Sequence, residues 1–148
     1  MIGELSHVTL LVEDLDEALA YYTDVLGFVK RDDVDMGEMG RWLTVSPGEQ
    51  ELPQFSLMEP ETDEQRERVG AQVPGYVAFV LGTDDCRAEY ERLTEAGVEF
   101  GGEPEDNPWG VEAQFTDRYG NVFDLVEPHE MDEEAMAALT EGADPTAD

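Results

Sequence analysis

The sequence has few basic residues and a single cysteine. Lysine and arginine together number 8 among 148 residues, with Lys30 the one lysine, whereas aspartate and glutamate number 37. A protein that neutralises nucleic-acid phosphates needs clustered basic side chains, so that function is excluded, and an anionic membrane surface would repel the chain. Cys86 alone excludes an internal disulfide and a cysteine metal cluster, which favours a reducing compartment.

Membrane and targeting signals are also absent from the hydropathy pattern. No run approaches the about 18 consecutive apolar residues of a membrane-spanning helix. The first seven residues lack a basic region followed by a hydrophobic one, as a signal peptide has. We therefore expect a cytoplasmic protein with no membrane partner.

The charge itself is large and evenly distributed. The formal net charge is −29, and the acidic residues interleave with periodic apolar residues along the whole chain. This distribution is typical of a protein from an extreme halophile, because molar salt screens self-repulsion to within about 3 Å. We interpret the charge as a sign of environment and not of substrate.

The first part of the chain, residues 1–58, reads as a β-α-β-β-β module. Residues 5–12 alternate as a strand, with His7 on one face and Val8 on the other. Asp14 is a candidate N-cap of a helix whose apolar residues recur at helical spacing up to Gly27. Three further strands follow, and the charged residues 59–74 read as a connector that Pro60 begins.

The same pattern returns in residues 75–128, which predicts an internal duplication. An offset of 69 positions sets His7 on Tyr76. Two such modules have to bury their open faces, so we predict an α+β fold in which two βαβββ modules pair their curved sheets into a cup. Such a cup is suited to a small ligand. Residues 129–148 read as an acidic short helix and tail.

The chain resembles the vicinal oxygen chelate superfamily, which includes glyoxalase I, the bleomycin-resistance proteins, the fosfomycin-resistance enzymes and the extradiol dioxygenases. The resemblance rests on Ser6-His7-Val8-Thr9, on the helix that ends at Leu26-Gly27-Phe28, and on the Gly120-Asn121 turn followed by a strand through Asp124. It covers roughly residues 4 to 128.

The resemblance implies a divalent metal such as Zn, Ni, Mn or Fe in the cup, with ligands from four strands. The residues at those positions are His7, Ser56 or Gln54, Tyr76 and Asp124, and Glu127 is a reserve ligand if the register slips by one residue. Hydroxyl groups are poor ligands compared with imidazole and carboxylate. We therefore expect weak metal binding or none.

Two functions remain open at this stage. The first is a metal-assisted lyase, isomerase or oxygenase that acts on a small oxygenated molecule, with His7 and Asp124 as catalytic residues. The second is a metal-free protein that binds or sequesters a small apolar-aromatic compound. In either case we expect Gln54, Ser56, Tyr76, Trp42 and Trp109 to line the cup, His7 and Asp124 to lie within a few ångströms of each other, and the protein to form a homodimer.

Overall fold

A computed structural model describes residues 1–129 of the chain. The helix and tail expected after residue 129 lie outside the described residues. No helix within residues 1–129 is long and apolar enough to cross a membrane.

Two consecutive modules make up this structure. The first contains β1 (His7–Leu11), α1 (Leu15–Ala20), which continues as a wider helical turn (Tyr21–Val25), β2 (Val29–Asp35), a short 3-10 turn (Gly37–Met39), β3 (Arg41–Ser46) and β4 (Gln54–Met58). A connecting helix, α2 (Asp63–Arg68), follows. The second module contains β5 (Phe79–Gly82), α3 (Cys86–Glu95), β6 (Glu99–Phe100), β7 (Glu105–Asn107), β8 (Gly110–Thr116) and β9 (Val122–Pro128).

Each module forms its own sheet, so the predicted α+β class with two βαβββ-like units is confirmed. The first sheet has the order β1-β4-β3-β2, and the second has the order β5-β9-β8-β6, with β7 also paired to β8. In both sheets the first and last strands of the module run parallel and all other pairs are antiparallel. A helix between the first two strands of each module makes that parallel pairing possible.

The duplication is real, but the predicted offset of 69 residues is wrong. The side chain of Asp14 caps α1 by accepting from the Glu17 amide, and the side chain of Asp85 caps α3 by accepting from the Ala88 amide. These equivalent caps differ by 71 positions (85 − 14 = 71). The residue equivalent to His7 is therefore Ala78 (7 + 71 = 78), and the strand predicted from Gly75 begins at Phe79.

Two elements were missed because their sequences are highly polar. Helix α2 lies within the predicted connector and is held by a capping box between Thr62 and Gln65. Strand β7 lies in a predicted loop and carries Glu105 and Asp106, which have low strand propensity. Its hydrogen bonds to β8 decide its conformation.

The inner faces of the two sheets share one hydrophobic core. Phe55 of the first sheet packs edge-on against Phe79 of the second, with ring centroids 4.7 Å apart, and Phe79 contacts Phe123 at 5.3 Å. Phe123 stacks in turn on Phe115. Because side chains alternate along a strand, the residues between these positions lie on the outer faces, away from the shared core.

A buried hydrogen-bond cluster joins α1 to the turn between β8 and β9. The hydroxyl of Tyr22 donates to Oδ2 of Asp117 at 2.6 Å, and Oδ1 of Asp117 accepts from the backbone amides of Tyr119, Gly120 and Asn121. Burial and the adjacent Asp117 carboxylate raise the pKa of Tyr22. This contact fixes how the two modules sit on one another.

Candidate functional site

The outer face of the first sheet carries four of the predicted site residues. His7 pairs in register with Gln54, which places their side chains side by side, and Ser56 lies two residues further along β4. The ring of Trp42 lies 5.2 Å from the ring of His7, centroid to centroid. Ser56 is only 4% exposed, so it belongs to the floor of this face rather than to its rim.

Gln54 leaves an unsatisfied acceptor on this face. Its Nε2 donates to the Glu51 carbonyl at 2.9 Å, but its Oε1 is buried with no hydrogen-bond partner in the described structure. Nδ1 of His7 lies 3.0 Å from Oγ of Ser6, which leaves Nε2 as the ring atom open to a ligand. A ligand with a hydrogen-bond donor would satisfy the buried oxygen.

The outer face of the second sheet is acidic. Asp124 of β9 pairs in register with Gln114 of β8, and Glu112 lies diagonally across from Asp124 on the same face. Oδ1 of Asp124 is buried and receives no hydrogen bond from any residue between 1 and 129. Oε1 of Glu112 accepts a hydrogen bond from the side-chain Nδ2 of Asn107 at 2.9 Å.

The Asp124 carboxyl group is tuned by this environment. Its pKa is raised to about 6, first by burial and then by the neighbouring Glu112 carboxylate. Near neutral pH, ionising both Asp124 and Glu112 is therefore energetically unfavourable. A hydrogen-bond donor or a cation beside Asp124 would reduce this unfavourable free energy. Glu112 belongs to no motif in the sequence, and only its even spacing from Gln114 and Thr116 along β8 indicates that it shares a face with Asp124.

Three other predicted residues lie in turns or are already engaged elsewhere. Tyr76 is in the turn before β5, not on the strand as predicted, and is 75% exposed. Trp109 sits in the tight turn between β7 and β8 and is 45% exposed. Glu127 points to the inner side of β9, where its Oε1 accepts from the Cys86 amide at the start of α3, so it is occupied as a helix cap.

One chain does not bring His7 and Asp124 into direct contact. They form neither a hydrogen bond nor an ion pair with each other within residues 1–129, and His7 lies beside Ser6 and Trp42 whereas Asp124 lies beside Glu112. They lie in separate sheets and project from faces that both turn away from the shared core. Within one chain the candidate residues therefore form two groups, which we call half-sites: His7 with Gln54 and Ser56 on the first sheet, and Asp124 with Glu112 on the second.

Comparison with known proteins identifies the fold and its relatives. The family model described as Glyoxalase/Bleomycin resistance protein/Dioxygenase superfamily matches residues 4–125. The chain belongs to this superfamily. The solved structure of UcmS2 is 42% identical, covers 86% of this chain and 99% of its own, and superposes with a TM-score of 0.75.

Two further solved structures share this fold, and each is described with what it binds. TnmS3 from Streptomyces sp. CB03234, described as an antibiotic binding protein, is 32% identical over 86% of this chain and 98% of its own, with a TM-score of 0.69. The fosfomycin resistance protein FosX from Listeria monocytogenes, solved with Mn(II) and a dihydroxypropylphosphonic acid, is 19% identical over 87% of this chain and 93% of its own. Its TM-score of 0.63 shows a shared fold.

The superfamily metal fits this chain poorly. Among the four expected positions only His7 and Asp124 offer strong donors, Ser56 is a hydroxyl, and Ala78 stands where the second module repeats His7. Within residues 1–129 no group of three or more histidine, cysteine, aspartate or glutamate side chains is arranged to hold a metal ion. Structural and catalytic sites normally need three strong protein ligands.

Proposed function

We propose that the protein binds a small aromatic molecule, without a resident metal, against the outer faces of its two sheets. The observation that carries this proposal is the donor set, which has aromatic rings and unsatisfied acceptors but, at the four expected metal-ligand positions, only two strong ligands, His7 and Asp124. His7 and Trp42 offer a ring surface, and Gln54 and Asp124 each hold a buried oxygen that lacks a donor. The likeness to TnmS3, an antibiotic binding protein, supports a binding role.

A second copy of the chain completes the binding site in this proposal. Val80, which lies beside Asp124 in register, is 65% exposed, and Met58 on the first sheet is 41% exposed. Exposed apolar side chains on a face that also carries polar site residues are typical of an interaction surface. A two-fold axis would set the first sheet of one copy opposite the second sheet of its partner, which unites the two half-sites twice per dimer.

The proposed binding is tested with chelator-treated protein and Prodan, a small neutral naphthalene dye whose emission shifts in apolar surroundings. We expect saturable binding that added Mn(II) or Zn(II) leaves unchanged. Trp42→Ala should weaken it roughly tenfold, because a large aromatic contact area is lost. Val73→Ala, an exposed residue of the connector outside both sheets, is the matched control.

Assembly is measured on the same samples by light scattering in about 1 M NaCl, where charge repulsion is screened. We expect twice the chain mass of 16.5 kDa. Val80→Glu should give a monomer that no longer binds Prodan, whereas Val73→Glu should change neither property. Binding or turnover that requires added metal would contradict the proposed function, and a wild-type monomer with full Prodan binding would contradict the shared site.

A further inference from the structure

A cleft of about 420 Å³ opens beside the outer face of the first sheet. Thr9 and Leu11 of β1 and Met58 of β4 form one wall, and these residues continue the rows that contain His7 and Ser56. Met39, from the turn between β2 and β3, also lines the cleft. We call this space the methionine cleft, and its volume is within the range of small-molecule pockets.

The walls of the methionine cleft are apolar and adaptable. Leu11 and Leu15 are half-buried, whereas Met58 is 41% and Met39 is 83% exposed. Methionine is flexible and polarisable, and its sulfur makes favourable contacts with aromatic rings. Two exposed methionines at the mouth of a cleft can therefore fold over planar ligands of differing outline and bury their own apolar surface in doing so.

The polar part of the methionine cleft is negative. Glu59 and Glu61 line it at the start of the connector. The one basic residue in its lining, Arg41, is already paired with Asp33 at 2.8 Å and with Asp16 at 2.7 Å. An anionic ligand would meet these carboxylates without a free cation to offset them, so the local charge favours neutral or cationic ligands.

We propose that the methionine cleft holds the aromatic body of the ligand, gripped by Met39 and Met58, and that it selects neutral or cationic aromatic molecules over anionic ones. This inference rests on the proposed binding function and specifies its ligand class. It also sets the chain apart from FosX, whose structure holds a phosphonic acid. In this proposal Met39 and Met58 contribute to affinity, whereas Glu59 and Glu61 contribute to selection by charge. Separate variants can measure the two contributions.

The grip is tested with Prodan and the double variant Met39→Ala/Met58→Ala in about 1 M NaCl. We expect the Kd for Prodan to rise roughly tenfold, because two apolar walls are truncated. Met39→Leu/Met58→Leu keeps the volume and should stay within about threefold of wild type. Met36→Ala is the matched control, since Met36 is 45% exposed in the same segment but does not line the cleft.

Charge selection is tested with anilinonaphthalene sulfonate, an anionic dye of similar ring size. We expect wild type to bind it at least about tenfold more weakly than Prodan even in about 1 M salt, where long-range repulsion is screened. Glu59→Gln/Glu61→Gln should reduce the difference in affinity between the two dyes, because it removes both carboxylates of the cleft. If Met39→Ala/Met58→Ala binds Prodan as tightly as wild type does, the methionine cleft is not the binding site, but the proposed function stands. If wild type does not bind Prodan, both the cleft and the proposed function are wrong.

Discussion

The surroundings of Asp124 disfavour the charged form of its own carboxyl group. Its carboxyl group is flanked by Glu112 and has a buried oxygen without a donor, and its pKa is raised to about 6. Buried polar groups are normally paired, so an unsatisfied carboxylate on an open face indicates a position kept for a ligand or a partner. The raised pKa of Asp124 also predicts how the free energy of unfolding depends on pH.

We expect Asp124 to make the protein less stable as the pH rises from about 4 to about 6. In this window the folded state keeps the proton on Asp124, whereas the unfolded state, with its lower pKa, has released it. Folding therefore binds a proton, and the free energy of unfolding falls as the pH increases. Above about pH 6 the full penalty is present.

Thermal unfolding of Asp124→Asn and wild type at pH 4.5 and pH 7.5 measures this effect. The melting temperature of the variant should exceed that of wild type by more at pH 7.5 than at pH 4.5, because the amide removes the charge that burial and Glu112 oppose. Asp84→Asn, an exposed residue just before α3, is the control and should show no such difference. A variant that follows the wild-type pH profile would show that Asp124 titrates as an ordinary exposed carboxyl group.

At the scale of elements, the connector is a structural part of the second module. The backbone at Gly70 crosses the turn between β8 and β9 so closely that a Cβ there would lie 1.6 Å from the carbonyl oxygen of Tyr119. Gly70 also has a φ of +74°, in the left-handed region that glycine favours. Both the contact and the conformation require glycine at this position.

Gly70→Ala should therefore destabilise the protein by more than about 2 kcal/mol, because backbone has to move to remove the overlap. Gly75→Ala is a matched control, since Gly75 has a φ of +82° but no heavy atom near its hypothetical Cβ. It should cost only the conformational strain of about 1 kcal/mol. Chemical denaturation of both variants gives the comparison, and equal losses would show that strain, not the contact with Tyr119, dominates.

The elements also show what the sequence could and could not predict. Strands with alternating apolar residues, and helices with a clear cap such as Asp14, were placed within a few residues of their observed bounds. Helix α2 and strand β7 were missed because their acidic sequences carry no hydrophobic period, and the hydrogen bonds that form them come from a capping box and from β8.

The site was predicted less well for a related physical reason. In the structure, His7 and Asp124 lie on faces opposite to core residues such as Leu10 and Phe123. Their expected proximity depended on how the two sheets pack, which is decided by long-range contacts such as that of Phe55 with Phe79. No local pattern reports such contacts.

At the scale of the whole molecule, the surface charge is far from balanced. The 37 acidic residues face 8 lysines and arginines, and the ion pairs within residues 1–129 engage Arg41, Arg66, Arg92, Arg118 and His129. Most carboxylates in the described part of the chain therefore form no ion pair, and they repel one another. Because this repulsion is greatest in the compact state, it opposes folding and, in the proposed dimer, association as well.

We predict that the free energy of unfolding rises steeply between dilute buffer and about 2 M NaCl. Salt shortens the screening length from about 10 Å at 0.1 M to about 3 Å at 1 M, which removes repulsion between all but adjacent carboxylates. The same change should favour the dimer, because each copy carries a formal charge of −29. Circular dichroism and light scattering across a salt series follow the two processes separately.

A charge-reduced variant distinguishes electrostatic screening from a general effect of salt on hydrophobic burial. Four exposed helix residues lie outside the ion pairs: Glu64, Glu67, Glu91 and Glu95. Their replacement by glutamine reduces the magnitude of the net charge, from −29 to −25 (−29 + 4 = −25). Screening acts on charge, so this variant should be more stable than wild type in dilute buffer and should gain less from added salt. If salt acted by strengthening hydrophobic burial instead, both proteins would gain equally, since their cores are the same. A wild-type melting temperature that does not change on dialysis into dilute buffer would contradict the role assigned to the charge.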